Sequence, residues 1–148
     1  MTYRKTVYRI GALLCVAFTL ATSTPYAQTK APELLPLHEA EILIYLSPPA
    51  VSVRAEGMEV GWELQEAKQY NKNFYVFWMY NAVRESTGSV TIGYFAVNKR
   101  TAEVWDLGLE RFVESKELAG VQRILRKAHH IDDQTIEKYG RQLPTQLK

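Results

Sequence analysis

Ser89-Val90-Thr91-Ile92-Gly93-Tyr94-Phe95-Ala96-Val97, then Asn98-Lys99-Arg100-Thr101, then Ala102-Glu103-Val104-Trp105-Asp106-Leu107 is the stretch that decides the fold. Two runs rich in β-branched and aromatic residues flank a short polar loop, which is the sequence signature of an antiparallel hairpin. Upstream, Phe74-Tyr75-Val76-Phe77-Trp78-Met79-Tyr80 is apolar throughout. A run of that kind suits a central strand covered on both sides, or one whose second side lines a groove. Its alternation sends Tyr75, Phe77 and Met79 to one face and Phe74, Val76, Trp78 and Tyr80 to the other. Further upstream, Met58, Val60, Trp62 and Leu64 alternate with Glu59, Gly61 and Glu63, the pattern of a strand with one apolar face. The polar segment 66–73 and the turn Arg84-Glu85-Ser86-Thr87-Gly88 separate these runs. Four successive strands with short connections pair as an antiparallel meander.

The flanking segments read as helices. From Pro36 to Leu46, the spacing of Leu37, Ala40, Leu43 and Ile44 predicts a helix that Pro48-Pro49 ends. Ser115 is placed to cap a second helix, in which Leu118, Val121, Ile124, Leu125 and Ala128 recur at helical spacing. Asp132 caps a last short helix through Tyr139, with Gly140 as its stop. The expected architecture is therefore α+β: an N-terminal helix, a four-stranded antiparallel meander and two C-terminal helices, forming one domain over residues 36–148.

The hairpin Val97-Asn98-Lys99-Arg100-Thr101-Ala102-Glu103-Val104 is similar to the turn of small secreted PepSY-type domains, where an Asp/Asn-x-x-Thr-Gly-x-Val pattern joins two strands. Ala102 stands where that pattern has glycine. The order of a helix followed by a meander resembles the cystatin-like and NTF2-like group of small periplasmic folds. The resemblance implies a binding or inhibitory module and brings no catalytic residues with it.

The N-terminus carries the organisation of an export signal over residues 1–27. Arg4, Lys5 and Arg9 precede the apolar run Ile10 to Ala21, and Ala27 offers a small residue before the cut. That run of 12 residues reaches only ~18 Å as a helix, against ~30 Å of hydrocarbon, so cleavage is expected rather than a stable membrane span. Residues 28–35 read as an N-terminal tether. Cleavage near Ala27 removes Cys15, the only cysteine. An exported domain without a disulfide points to the periplasm, or to secretion from it. The remaining chain has 15 basic and 16 acidic residues, so the basic balance of the whole belongs to the signal and argues against a nucleic-acid partner. Acidic residues dominate between Gln28 and Glu66, seven to two, and basic ones from Lys116 onward, seven to four.

Chemistry-bearing motifs are sparse. His38-Glu39 lacks a second histidine four residues on, where Ile42 stands, so it is no zinc-protease helix. His129-His130 and Asp132-Asp133 are the densest titratable group, but adjacent helical histidines diverge by about 100° and do not chelate together. They read as helix-end residues, with a small hydrolase using His129 or His130 and Asp132 as the catalytic alternative. No serine sits in a nucleophile elbow, and phosphate-binding and dinucleotide-binding loops are missing. No enzyme activity, metal or cofactor is therefore expected.

The aromatic concentration on the strands carries the functional expectation. If helices cover only one side of the sheet, the other exposes an aromatic surface, and such patches mark binding sites. Trp62, Tyr75, Phe77, Trp78, Tyr80 and Tyr94 are the candidate contact residues, with Arg123, Arg126 and Lys127 on the outer side of the Ser115 helix as a second, basic set. The expectation is an exported, non-enzymatic protein that binds another protein of the cell envelope, in the manner of an inhibitor or immunity protein. The alternative is a small-ligand carrier, with a pocket between sheet and helix lined by Trp62, Trp78 and Tyr94.

Overall fold

The structure, a computed structural model, describes residues 33–66, 68–82 and 90–145. The expected export signal, the tether up to residue 32 and the turn at 84–88 lie outside the described residues. Among those described, four helices and five strands follow in the order α1 (Leu37–Tyr45), α2 (Pro48–Ala55), β1 (Val60–Leu64), β2 (Phe74–Asn81), β3 (Val90–Asn98), β4 (Val104–Asp106), β5 (Arg111–Phe112), α3 (Lys116–Ala128) and α4 (Asp133–Tyr139). The class is α+β, and the strands form one antiparallel meander in sequence order.

Two expectations need correcting. The expected four strands are five. β5 is only two residues long and escapes period-two reading, because two residues carry no alternation. It forms because the Asp106 carboxylate accepts the amides of Gly108 and Leu109 at 2.9 and 3.0 Å, closing a turn that pairs Trp105 with Phe112. The single N-terminal helix is in fact two. Pro48-Pro49 ends α1 and also starts α2, because a proline's missing N–H is harmless in a first turn. Ser47 turns back, its hydroxyl donating to the Ile44 carbonyl at 2.7 Å.

The two C-terminal helices begin where their caps predict. The Ser115 hydroxyl accepts from the Leu118 amide, and the Asp132 carboxylate accepts from the Thr135 amide at 2.8 Å. Gly140 stops α4 without entering the left-handed region, its φ being −67°. What it provides is room: a Cβ there would lie 2.7 Å from the Ile136 carbonyl oxygen and 2.8 Å from the Glu103 carboxylate.

The main core lies between the helices and the inner face of the sheet. Ala40, Leu43 and Ile44 of α1 and Leu118 and Leu125 of α3 meet Phe77 and Met79 of β2, Phe95 and Val97 of β3 and Val104 of β4. Leu35 is fully buried with them and its amide donates to the Lys99 carbonyl at 2.7 Å, so the chain is already anchored before α1. A second, smaller cluster occupies the outer face. There Phe74, Val76, Ala96 and Trp105 are buried against Tyr70 and Leu107. Next to it, the segment after α4 is held by the Asn71 amide on the Pro144 carbonyl (2.7 Å) and by Asn73 on Gln142 (2.8 Å).

A β-bulge divides β3. Pairing steps from Met79 opposite Gly93 to Tyr80 opposite Thr91, which leaves Ile92 as an extra residue. Ile92 turns into the main core, and the Thr91 hydroxyl comes to the outer face within 3.2 Å of the Trp78 indole nitrogen.

Candidate functional surface

The bulge and the register together sort the candidate aromatics between the two faces. Trp62 pairs with Met79, Tyr75 with Val97, and Phe77 with Phe95; all three candidates lie on the inner face against the main core. Phe77 is fully buried and offers a partner nothing. Tyr75 is covered by the Lys99 ammonium, 4.3 Å from its ring centroid, and that ammonium also donates to the Lys72 carbonyl at 2.8 Å. Partial burial holds Lys99 below the usual lysine range. Trp62 packs edge-on against Tyr45, their centroids 6.1 Å apart.

Trp78, Tyr80 and Tyr94 occupy the outer face. Trp78 pairs directly with Tyr94, which is 43% exposed, and its ring lies 4.8 Å from that of Tyr80 at 39°. The Tyr80 ring leans across β1 over Gly61, where a Cβ would come within 2.5 Å of it, so only glycine admits this arrangement. Toward the other edge, Trp105 and Phe112 stack at 4.2 Å, and Phe112 is 40% exposed. Leu107 donates its amide to the Tyr94 carbonyl and bridges the two groups. The result is a band of aromatic side chains across all but the edge strand β1. Sequence reading did not select Phe112, Thr91 or Gly61. Phe112 sits on the unforeseen β5, Thr91 is turned outward by the bulge, and the crowding at Gly61 is a cross-strand effect.

Because Trp62 lies on one side of the sheet and Trp78 and Tyr94 on the other, these three line no common pocket. The carrier site they were expected to form between sheet and helix does not exist.

The basic candidates also divide. Arg126 points back to the hairpin, its Nε donating to the Thr101 carbonyl at 2.8 Å, beside Gln122 on the Ala102 carbonyl at 2.9 Å. Arg123 and Lys127 face solvent with Lys116 around Ile124, which is 67% exposed. This basic surface is on the helix layer, opposite the aromatic band.

His129 does not meet Asp132. It ends α3, and its Nε2 lies 2.5 Å from the Glu39 carboxylate on α1, with Nδ1 3.8 Å from Glu33. Asp132 uses its carboxylate as the α4 cap; hydrogen bonds from Thr135, hydroxyl first and amide second, hold it below the usual carboxylate range. His130 is exposed at φ 55° in the left-handed region just past the helix. The histidine thus joins two helices. Among the described residues no group of three or more His, Cys, Asp or Glu is placed to hold a metal ion, and no helix is long and apolar enough to cross a membrane.

No family model and no curated protein matches the chain. A solved structure does: a chain of a type VI secretion system effector–immunity complex from Pseudomonas protegens, with a TM-score of 0.52 and 15% identity, aligned over 76% of this chain and 93% of that one. At that identity the likeness shows a shared fold.

Proposed function

We propose that this chain is an exported, non-enzymatic binding protein that engages a protein partner of the cell envelope through the outer face of its sheet, as an inhibitor or immunity protein does. The observation that carries this reading is the aromatic band. A single-sheet domain whose helices already supply its main core has no folding need for Trp78, Tyr80, Tyr94 and Phe112 on the opposite, partly exposed side. Tyrosine and tryptophan are enriched at protein interfaces, where they bring large contact area with few rotors to freeze. The shared fold with a chain from an effector–immunity complex supports the same reading, since that assembly consists of one protein bound by another. Export rests on the n-region and apolar run at the N-terminus.

The test uses the chain as bait in envelope extract, beside the Trp78→Ala/Tyr94→Ala double variant. A specific partner retained by the native chain and lost by a folded double variant is the expected result. Recovery of no partner at any salt concentration, or equal recovery by both baits, overturns the proposal. Proteolytic mapping of the processed N-terminus in an exporting host tests the export signal separately, with a new terminus near Gln28 expected.

A further inference from the structure

Among the described residues, four cationic side chains lie over aromatic rings of the same chain. Arg54 covers Tyr45 at 3.6 Å, Lys99 covers Tyr75 at 4.3 Å, and Arg100 and Lys138 approach Tyr139 at 4.7 and 5.1 Å. Trp78, Tyr80 and Tyr94 have no such cover among the described residues. Of the other exposed cations described, Lys116, Arg123 and Lys127 are on α3, on the other side of the sheet, while Lys68 and Lys72 lie in the β1–β2 connection, Arg111 on β5 and Arg141 just after α4. An acidic residue stands across from the bare rings instead. Glu63 is exposed and pairs directly across from Trp78. The Tyr80 ring leans over Gly61, two residues before Glu63 on the same strand. The indole N–H of Trp78 is occupied by Thr91, so the ring offers an incoming group its π face rather than a donor.

We infer that the outer face recognises a cationic segment of its partner, with an arginine laid on the Trp78–Tyr80 rings and its guanidinium turned to the Glu63 carboxylate. This rests on the protein-binding reading above and names the chemistry of the partner. A guanidinium is planar and weakly hydrated. It stacks on an aromatic face while its edge donates two parallel hydrogen bonds to a carboxylate. Tryptophan offers the strongest ring face for this contact, and Trp78 is the cross-strand partner of Glu63. An aromatic surface alone would equally accept a sugar ring or an apolar side chain. Glu63 across from Trp78, and the absence of any described cation stacked over the Trp78, Tyr80 and Tyr94 rings, select positive charge.

The test follows the indole N–H signals of the ¹⁵N-labelled chain during titration with an acetylated, amidated tetra-arginine peptide. Its tetra-citrulline analogue, which keeps the shape and loses the charge, is titrated alongside, as is chitotetraose. The expected result is movement of the Trp78 signal with tetra-arginine, while Trp62 and Trp105 stay in place. Affinity should be at least roughly tenfold weaker for Glu63→Gln and for tetra-citrulline, and should fall as salt is raised. Glu63 is exposed and outside the core, so its amide variant keeps the fold as a fair comparison. Equal response to citrulline, an unchanged affinity in Glu63→Gln, a Trp78 response to chitotetraose alone, or no response to tetra-arginine each overturns the inference. Any of these, with a captured partner that still depends on Trp78 and Tyr94, removes the arginine and leaves protein binding standing. If no captured partner depends on those residues either, the binding reading falls as well.

Discussion

Phe77 and Trp78 are neighbours on one strand, and the sheet gives them opposite surroundings. Phe77 is fully buried among Phe95, Met79 and the residues of α1 and α3. Trp78 is half-buried among Tyr80, Tyr94 and Thr91 on a face that no helix of the main core covers. Similar side chains thus fill the main core on one face and stay partly exposed on the other. The difference is set by what lies across from each, not by the residue's own chemistry. Exposed aromatic surface contributes little to folding and is costly to leave open to nonspecific association, so its presence on the second face is the strongest pointer to a binding role.

The contrast between the faces predicts unequal mutational costs. Phe77→Ala should lose about 3–5 kcal/mol, enough to threaten folding, as measured by urea denaturation. Trp78→Ala should lose about 1 kcal/mol from the Tyr80 stack and Thr91 contact, while abolishing partner capture. Equal stability losses at the two positions would break the distinction. A smaller effect is expected from Gly61→Ala. The new Cβ meets the mobile end of the Tyr80 side chain, so the ring swings aside at a cost of about 1 kcal/mol or less, with capture weakened and the core unchanged. Ring-current shifts of Tyr80 and Trp78 would report the movement directly.

Ala102→Gly probes the hairpin that holds the faces in register. Ala102 is fully buried at φ 59°. Glycine relieves about 1–2 kcal/mol of left-handed strain, but loses about 0.8 kcal/mol of methyl burial and raises the freedom of the unfolded chain. The urea midpoint should therefore hardly move, and a shift worth more than about 1.5 kcal/mol would show that strain or packing dominates alone. The smallest effect lies off the sheet. Because Thr135 lowers the Asp132 pKa on folding, this cap stabilises the protein above the unfolded carboxylate value, and the contribution is lost as pH falls through the folded one. Asp132→Asn keeps an acceptor without a titrating charge, so it should flatten the loss of stability below about pH 4. An unchanged acid slope would show that the cap does not titrate on folding.

Much of this was legible in the sequence because it depends on local rules. The alternation of Phe74 to Tyr80, the polar hairpin loop, and the Ser115 and Asp132 caps each involve residues within a few positions of one another. The α+β class follows from them, as does the division of β2 into two faces. The same reasoning places Trp62, Trp78 and Tyr94 in one pocket, and Arg123, Arg126 and Lys127 on one surface. It had no access to strand register or to the helix's contact with the hairpin. Arg126 is held by Thr101, and Trp62 is separated from the others by the thickness of the sheet.

By itself, then, the sequence determined the periodicity of the main strands and helices, and the starts of the C-terminal helices, since backbone propensity, alternation and capping act over a few residues. Only the tertiary structure decided that Pro48-Pro49 opens a second helix, that a two-residue fifth strand closes the sheet, and that a bulge at Ile92 turns Thr91 toward Trp78. It also decided which aromatic face the helices cover. These outcomes depend on pairing and packing between residues distant in the chain, and no local pattern encodes which of two apolar faces finds a cover.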